Sequence, residues 1–107
     1  MSHVVPAGFR LTGVYCGIKK DAAREDLVLL VTDRPAVAVA LYTQNIVVAA
    51  PVTYNRQRTP SANIRALVVN SGNANACTGQ RGLRDAAEMA RLAAQAAGVA
   101  PDQTLVM

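Results

Sequence analysis

The sequence predicts a mixed α/β fold of layered sheet and helix, and three observations predict it. Apolar β-type runs occur at residues 26–32 (DLVLLVT) and 65–70 (RALVVN). An alanine-rich stretch from Leu83 to Ala97 has helical spacing. The aromatics of the 107 residues are only Phe9, Tyr15, Tyr42 and Tyr54, with no Trp. The core must therefore be built from Val, Leu, Ile and Ala, which suit tightly packed sheet-and-helix layers. The strand runs lack clean alternation, a sign of burial on both faces. A domain of this size buries only about 60–70% of its unfolded-chain surface, so the core is expected to be completed by another chain.

Residues 1–6 read as a leader and residues 7–107 as the ordered part. His3, the only histidine, lies so near the terminus that a solvated or tag-like role is expected. Phe9, Leu11, Val14 and Tyr15 form a strand interrupted by Gly13, and residues 16–19 (CGIK) continue it. Gly13 and Gly17 mark bulges or close backbone approach. The charged stretch from Lys19 to Asp26 reads as a solvated hairpin connection. After the 26–32 strand, Asp33-Arg34-Pro35 predicts a turn, because Pro pre-sets the bend. Residues 36–43 (AVAVALYT) then read as the antiparallel partner of the preceding strand.

Residues 43–45 are a polar break and residues 46–48 a brief strand. Pro51 suits a first helical turn, so one or two turns are expected within residues 53–61. Arg56 and Arg58 flank Gln57 there. They could grip an anion, an exposed basic helix end being the plainer alternative. The central strand, 65–70, leads into a small polar loop, residues 70–79 (NSGNANACTG), and then the helix. Ala86, Ala90, Ala93 and Ala97 share one helix face, with Leu83 and Met89 at its edges. Arg84 with Glu88, and Glu88 with Arg91, are spaced to pair. Asp85 and Glu88 are placed to oppose the positive end of the dipole. Gly98 suits the C′ position, with Pro101 soon after. Residues 104–107 (TLVM) begin a further strand, so the 107 residues are not expected to be a complete folding unit.

The formal charge of +4 comes from scattered arginines without interleaved aromatics, which argues against nucleic acid as a partner. Cys16 and Cys77 are far apart and lack metal-ligand spacing, as expected of two reduced thiols in a cytoplasmic protein. No secretory signal opens the chain. No apolar run reaches the roughly 18–20 residues that span a membrane.

The strand–loop–helix arrangement at residues 64–82 is where backbone N–H groups can face a ligand. It is neither a Walker A loop nor a GxGxxG turn. Ser71, Cys77 and Thr78 are possible nucleophiles, but each needs an activating base. With the single histidine at the terminus, neither a Ser-His-Asp nor a Cys-His set can be assembled. Ser71 and Thr78 are expected to bond the loop's own backbone, and Cys77 to be a buried small residue. Asn70, Asn73 and Asn75 tolerate left-handed geometry and can hold the loop rigid through backbone bonds. Orienting a substrate carbonyl or amine is their second possible role. The residues alone leave three functions open: part of an enzyme, an independent small-molecule or anion-binding module using residues 70–79, or a structural interaction domain.

Four pieces, in order, carry a resemblance: residues 6–10 (PAGFR), 16–19 (CGIK), 45–52 (NIVVAAPV) and 70–79 (NSGNANACTG). Together they resemble the N-terminal region of the bifunctional ornithine acetyltransferase / N-acetylglutamate synthase (ArgJ) family, over nearly the whole chain from Pro6. The resemblance implies that residues 1–107 are the first segment of the α chain, within a single larger α/β domain. It implies transfer of acetyl from N-acetylornithine to glutamate in arginine biosynthesis, with acetyl-CoA a possible donor and no cofactor. It also implies self-cleavage into α and β chains, a nucleophilic threonine at the new β terminus, an acetyl-threonine intermediate and an α2β2 assembly. The family's oxyanion-hole Thr-Gly, substrate lysine and cleavage-site threonine all fall after Met107. No catalytic residue and no metal ligand is therefore assigned here. Asn70, Asn73 and Asn75 are candidates to border the site, and this chain alone is expected to be inactive.

Overall fold

The computed structural model describes residues 4–107, so His3 lies outside the described residues. Four strands form one sheet in the order β1 (Phe9–Val14), β2 (Leu27–Ala38), β3 (Ser61–Asn70), β4 (Thr104–Val106). The first three run antiparallel, and β4 lies parallel to β3. Two helices, α1 (Ala50–Arg56) and α2 (Gly79–Ala97), pack on one face. The mixed α/β layering matches the expectation.

The packed face follows from strand alternation. Leu27 and Leu29 of β2, Val68 of β3 and Val106 of β4 meet Ala50 and Tyr54 of α1 and Ala86, Ala90 and Ala93 of α2. Burying each Val or Leu there contributes about 1.5–3 kcal/mol. On the opposite face Leu11, Leu30, Leu67 and Leu105 stand in one cross-strand row. None of these four leucines is buried, and Leu11 is 55% exposed. The Val- and Leu-rich strands thus have two apolar faces, of which the helices cover one.

Several elements differ from the sequence reading. Residues 16–19 do not continue β1; they form an irregular loop. Asp33-Arg34-Pro35 is not a turn between paired strands, because β2 runs straight through it. From Val31 to Ala36 β2 advances five residues while β3 advances two, from Ala66 to Ile64. The surplus is a bulge, which suits a proline that has no N–H for the ladder. Side chains bridge the interruption: Thr32 Oγ1 donates to the Arg65 carbonyl at 3.3 Å, and Arg65 Nε donates to the Thr32 carbonyl at 2.9 Å. Residues 27–31 are already paired with β1 on one side and β3 on the other. Residues 36–43 therefore have no strand partner in 26–32, and beyond Ala38 they leave the sheet as an arm. Residues 46–48 are not a strand either.

Helix α1 begins at Ala50 with Pro51 in its first turn, as Pro51 suggests. Helix α2 begins a turn earlier than its alanine pattern indicates, at Gly79. Asp85 and Glu88 consequently lie beyond the first turn, which holds no acidic residue, and their expected dipole role fails. Arg91 Nη2 pairs with Glu88 Oε1 at 2.6 Å, but Arg84 does not pair with Glu88; Asp85 pairs with Arg81 at 3.8 Å instead. Gly98 adopts φ 70° and closes α2, its N–H donating to Ala94 and Gln95 carbonyls. That left-handed conformation is cheap only without a Cβ.

Candidate functional site

Strands β3 and β4 are parallel, so their carboxyl ends open on the same side of the sheet, where ligands of open α/β sheets commonly sit. A cleft of about 620 Å³ lies there. Asn70, Asn73 and Asn75 of the loop line one side, Val39 and Leu41 of the arm another, and Leu105 and Met107 the strand end. A second cavity of about 300 Å³, lined by Ile18, Thr78 and Met89, lies across the loop, and Asn70, Asn73 and Asn75 line it as well. The loop is thus a wall between two hollows.

The asparagines build this wall. Asn70 Nδ2 donates to the Asn73 carbonyl at 2.8 Å, and Asn75 Nδ2 donates to the Gly82 carbonyl in α2 at 2.7 Å. The backbone joins in: Ala50 N–H donates to the Asn75 carbonyl at 3.2 Å, tying the loop to the start of α1. Asn70 N–H donates to the Met107 carbonyl at 3.1 Å, tying it to β4. Self-bonding is therefore what Asn70 and Asn75 do, whereas Asn73 contributes its carbonyl and leaves its exposed amide toward the hollows. Thr78 Oγ1 bonds the Asn75 side-chain oxygen rather than backbone. Among the described residues the Ser71 side chain shows no intramolecular bond. Cys77 is exposed, not buried: it occupies the turn into α2 with φ 56°, outside the packed face.

Asp26 is the supporting residue that the sequence reading missed. Its place at the end of a charged stretch suggested solvent, but it is 2% exposed. Its carboxylate accepts the N–H groups of Cys16, Ile18 and Lys19 at 2.8–2.9 Å. Its carbonyl accepts the Ser71 N–H at 2.9 Å. The loop it folds, residues 16–19, lies against Gly72, where an added Cβ would stand 3.2 Å from Lys19 Cγ; Gly72 itself has φ 104°. One carboxylate therefore organises the neighbour that braces the asparagine loop. In the sequence only its place directly before an apolar strand run sets Asp26 apart, and that names neither its burial nor its partners.

Burial pushes the Asp26 carboxyl up, but the donors at Lys19, Cys16 and Ile18 stabilise its ionised form more strongly and hold it at about 2, below the ordinary 3.8. A folded-state value below the unfolded one contributes stability that is complete above pH 3.8 and drains away as pH falls toward about 2. The thermal midpoint of the wild type should therefore fall steeply across that window. Asp26→Asn should begin lower and show a shallower fall; parallel curves for the two would remove Asp26 from this role. The same carboxylate acts on Cys16, whose thiol is pushed above its ordinary value by bonding to Asp26, by burial and by the negative charge. That makes Cys16 a poor nucleophile at neutral pH.

Arg56 and Arg58 do not reach into either hollow. Arg56 lies 5.4 Å over the Tyr42 ring and donates to the Thr43 carbonyl at 2.5 Å, fastening the arm to α1. Arg58 stacks 3.5 Å over the Tyr54 ring and donates to the Tyr54 carbonyl at 2.9 Å. Among the described residues no Lys or Arg lines the two hollows, and Asp85 is the only charged side chain that does. Among the described residues no group of three or more His, Cys, Asp or Glu is placed to hold a metal, and no helix is long and apolar enough to cross a membrane. Both cysteines are free thiols.

Comparison with known proteins gives a consistent result. Residues 10–107 match the ArgJ family. The arginine biosynthesis bifunctional protein ArgJ of Symbiobacterium thermophilum is 52% identical over 98 residues, covering 91% of this chain and 24% of that protein. The protein of the same name from Rhodopirellula baltica is 47% identical over 106 residues, 99% of this chain and 26% of its own length. A counterpart from Fusarium vanettenii, named as mitochondrial, is 45% identical. The chain thus spans about a quarter of the length of these curated relatives. Among solved structures, ArgJ of Bacillus halodurans superposes with TM-score 0.87 at 37% identity, over 94% of this chain and 52% of that one. Ornithine acetyltransferase of Mycobacterium tuberculosis, complexed with ornithine, gives 0.75 at 38% identity, over 94% and 55%.

Proposed function

The chain belongs to the ArgJ family, and from that membership we propose that it is the N-terminal segment of the α chain of an enzyme that moves acetyl from N-acetylornithine to glutamate in arginine biosynthesis. The observation that carries the proposal is that NSGNANACTG, the most specific piece of the resemblance, forms a wall of the cleft at the carboxyl ends of β3 and β4. In this reading a threonine hydroxyl at the start of the β chain attacks the acetyl carbonyl carbon. The amide C–N bond breaks, ornithine departs as an amine with the proton from the hydroxyl, and an acetyl-threonine ester remains. The amine of glutamate then attacks that ester, restoring the hydroxyl. Acetyl-CoA is a candidate second donor, and no cofactor is required.

None of the reacting groups belongs to residues 1–107. Their part is structural. They supply a sheet, two covering helices and a rigid asparagine-pinned wall within a single larger α/β domain. The uncovered row of Leu11, Leu30, Leu67 and Leu105 is where the remaining polypeptide of an α2β2 cytoplasmic enzyme would pack. The lining of the hollows argues against an anion-binding module, since among the described residues it offers no cationic side chain and one carboxylate. The test is to express the full-length polypeptide carrying this segment and follow ornithine release from N-acetylornithine in the presence of glutamate. Glutamate-dependent release, with an acetylated threonine trapped when glutamate is omitted, is the expected outcome. A correctly assembled enzyme that releases no ornithine would sink the assignment.

A further inference from the structure

Asn55 lies in the middle of the sequence-predicted helical turns as an ordinary polar residue, yet it is 8% exposed. Its amide meets the backbone of β4 twice. Asn55 Nδ2 donates to the Val106 carbonyl at 2.6 Å, and the Val106 N–H donates to Asn55 Oδ1 at 3.1 Å. On its other side β4 is held by β3: Met107 N–H donates to the Val68 carbonyl at 2.9 Å, and Asn70 N–H to the Met107 carbonyl. In a parallel ladder alternate residues bond one neighbour, so Val106 turns its N–H and C=O to the far edge. Among the described residues no strand lies beyond β4 in the sheet. Val106 is 0% exposed, so without Asn55 its two polar groups would be buried and unpaired. A side-chain amide carries a donor and an acceptor side by side, which is what a neighbouring strand would offer.

The consequence reaches the cleft. Val106 precedes Met107, Met107 holds the Asn70 N–H, and Asn70 holds the Asn73 carbonyl. Asn55, Val106, Met107, Asn70 and Asn73 all line the same hollow. We infer that Asn55 is a positioning residue: it clamps the outer edge of β4 and thereby sets where the strand end and the asparagine loop stand relative to a bound acyl donor. This rests on the acetyl-transfer reading for the identity of that donor.

The test uses the full-length enzyme with Asn55→Leu, which keeps size and burial but removes both bonds. The comparison variant is Tyr54→Phe, which removes the bond from Tyr54 Oη to the Pro101 carbonyl (3.2 Å) on the same helix, away from the strand end. Steady-state kinetics with N-acetylornithine are measured well below the unfolding temperature. Asn55→Leu should lose about tenfold or more in kcat/KM, since a displacement of about 1 Å can cost about 100-fold. Tyr54→Phe should stay within about twofold even where its thermal midpoint falls. Folded Asn55→Leu within about twofold of wild type, or equal losses in the two variants, overturns the inference. If Asn55→Leu does not fold, Asn55→Asp, which keeps only the acceptor for the Val106 N–H, takes its place under the same criterion. A wild-type enzyme inert toward N-acetylornithine would instead overturn the parent reading. The clamp is then decided by amide hydrogen exchange, where faster exchange at Met107 and Asn70 in Asn55→Leu supports it and unchanged protection refutes it.

Discussion

Replacing Ala90 with leucine should destabilise the fold by about 1–3 kcal/mol, while the same change at Ala87 should stay within about 0.5 kcal/mol. The two residues lie on one helix, and leucine is nearly as good a helix former as alanine. Only the surroundings differ. Ala90 is 0% exposed and Ala86 1%, facing Val68 of β3 and Val106 of β4, whereas Ala87 is exposed. Small side chains along this face let α2 lie close to the sheet, and a close-packed interior has no room for three more carbons. Relaxation would have to lift α2 from the sheet and carry the asparagine loop with it, because Asn75 is bonded to Gly82 of α2. A loss of 1–3 kcal/mol is large against the roughly 5–15 kcal/mol that a domain has in total. Denaturant midpoints at a common slope measure it. Equal midpoints for the two variants would show that the helix does not sit on the sheet in this way.

The parts of the fold that were legible in the sequence are those whose pattern is local. The alanine face of α2 shows its period directly, and the Leu and Val run of β3 is bounded by polar residues on both sides. What was hidden depends on partners distant in the chain. Asp33-Arg34-Pro35 has turn chemistry, and only the double pairing of residues 27–31 with β1 and β3 turns it into a bulge inside β2. The first turn of α2 is not legible in the sequence because Gly79 and Gly82 are poor helix formers. The roles of Asp26 and Asn55 were not legible at all. Each is a lone polar residue whose backbone partners lie 7–10 and 51 residues away. The loop itself announced its polarity, but its cleft also needs the arm at residues 39–42 and the end of β4. Nothing in the intervening sequence brings those segments together; the sheet positions the end of β4, and Arg56 of α1 holds the arm.

Gly82→Ala separates two forces of opposite sign, and the steric one should win. In an exposed helix interior the change would stabilise by about 1 kcal/mol, because glycine gives up more backbone entropy than alanine. Here the added Cβ would run into Thr78 Oγ1 and stand 2.5 Å from Asn75 Oδ1. Thr78 must turn away from Asn75, and Asn75 must withdraw from the Gly82 carbonyl that it bonds at 2.7 Å. Overpacking costs about 1–3 kcal/mol and the lost hydrogen bond about 0.5–1.5 kcal/mol, against the gain of about 1 kcal/mol. A net destabilisation of about 0.5–3.5 kcal/mol is expected. The mechanism has its own signature. Asn75→Ala breaks the same bond without adding bulk, so the two substitutions share a partner and should not be additive. The double variant should be less destabilised than the sum of the single ones, because once Asn75 is gone the methyl at residue 82 has only Thr78 to displace. In the full-length enzyme both single variants should lower acetyl transfer by more than their stability loss explains, since each frees the wall that separates the two hollows. A Gly82→Ala protein more stable than wild type would mean that helix propensity alone governs residue 82 and that the asparagine latch does not hold the loop.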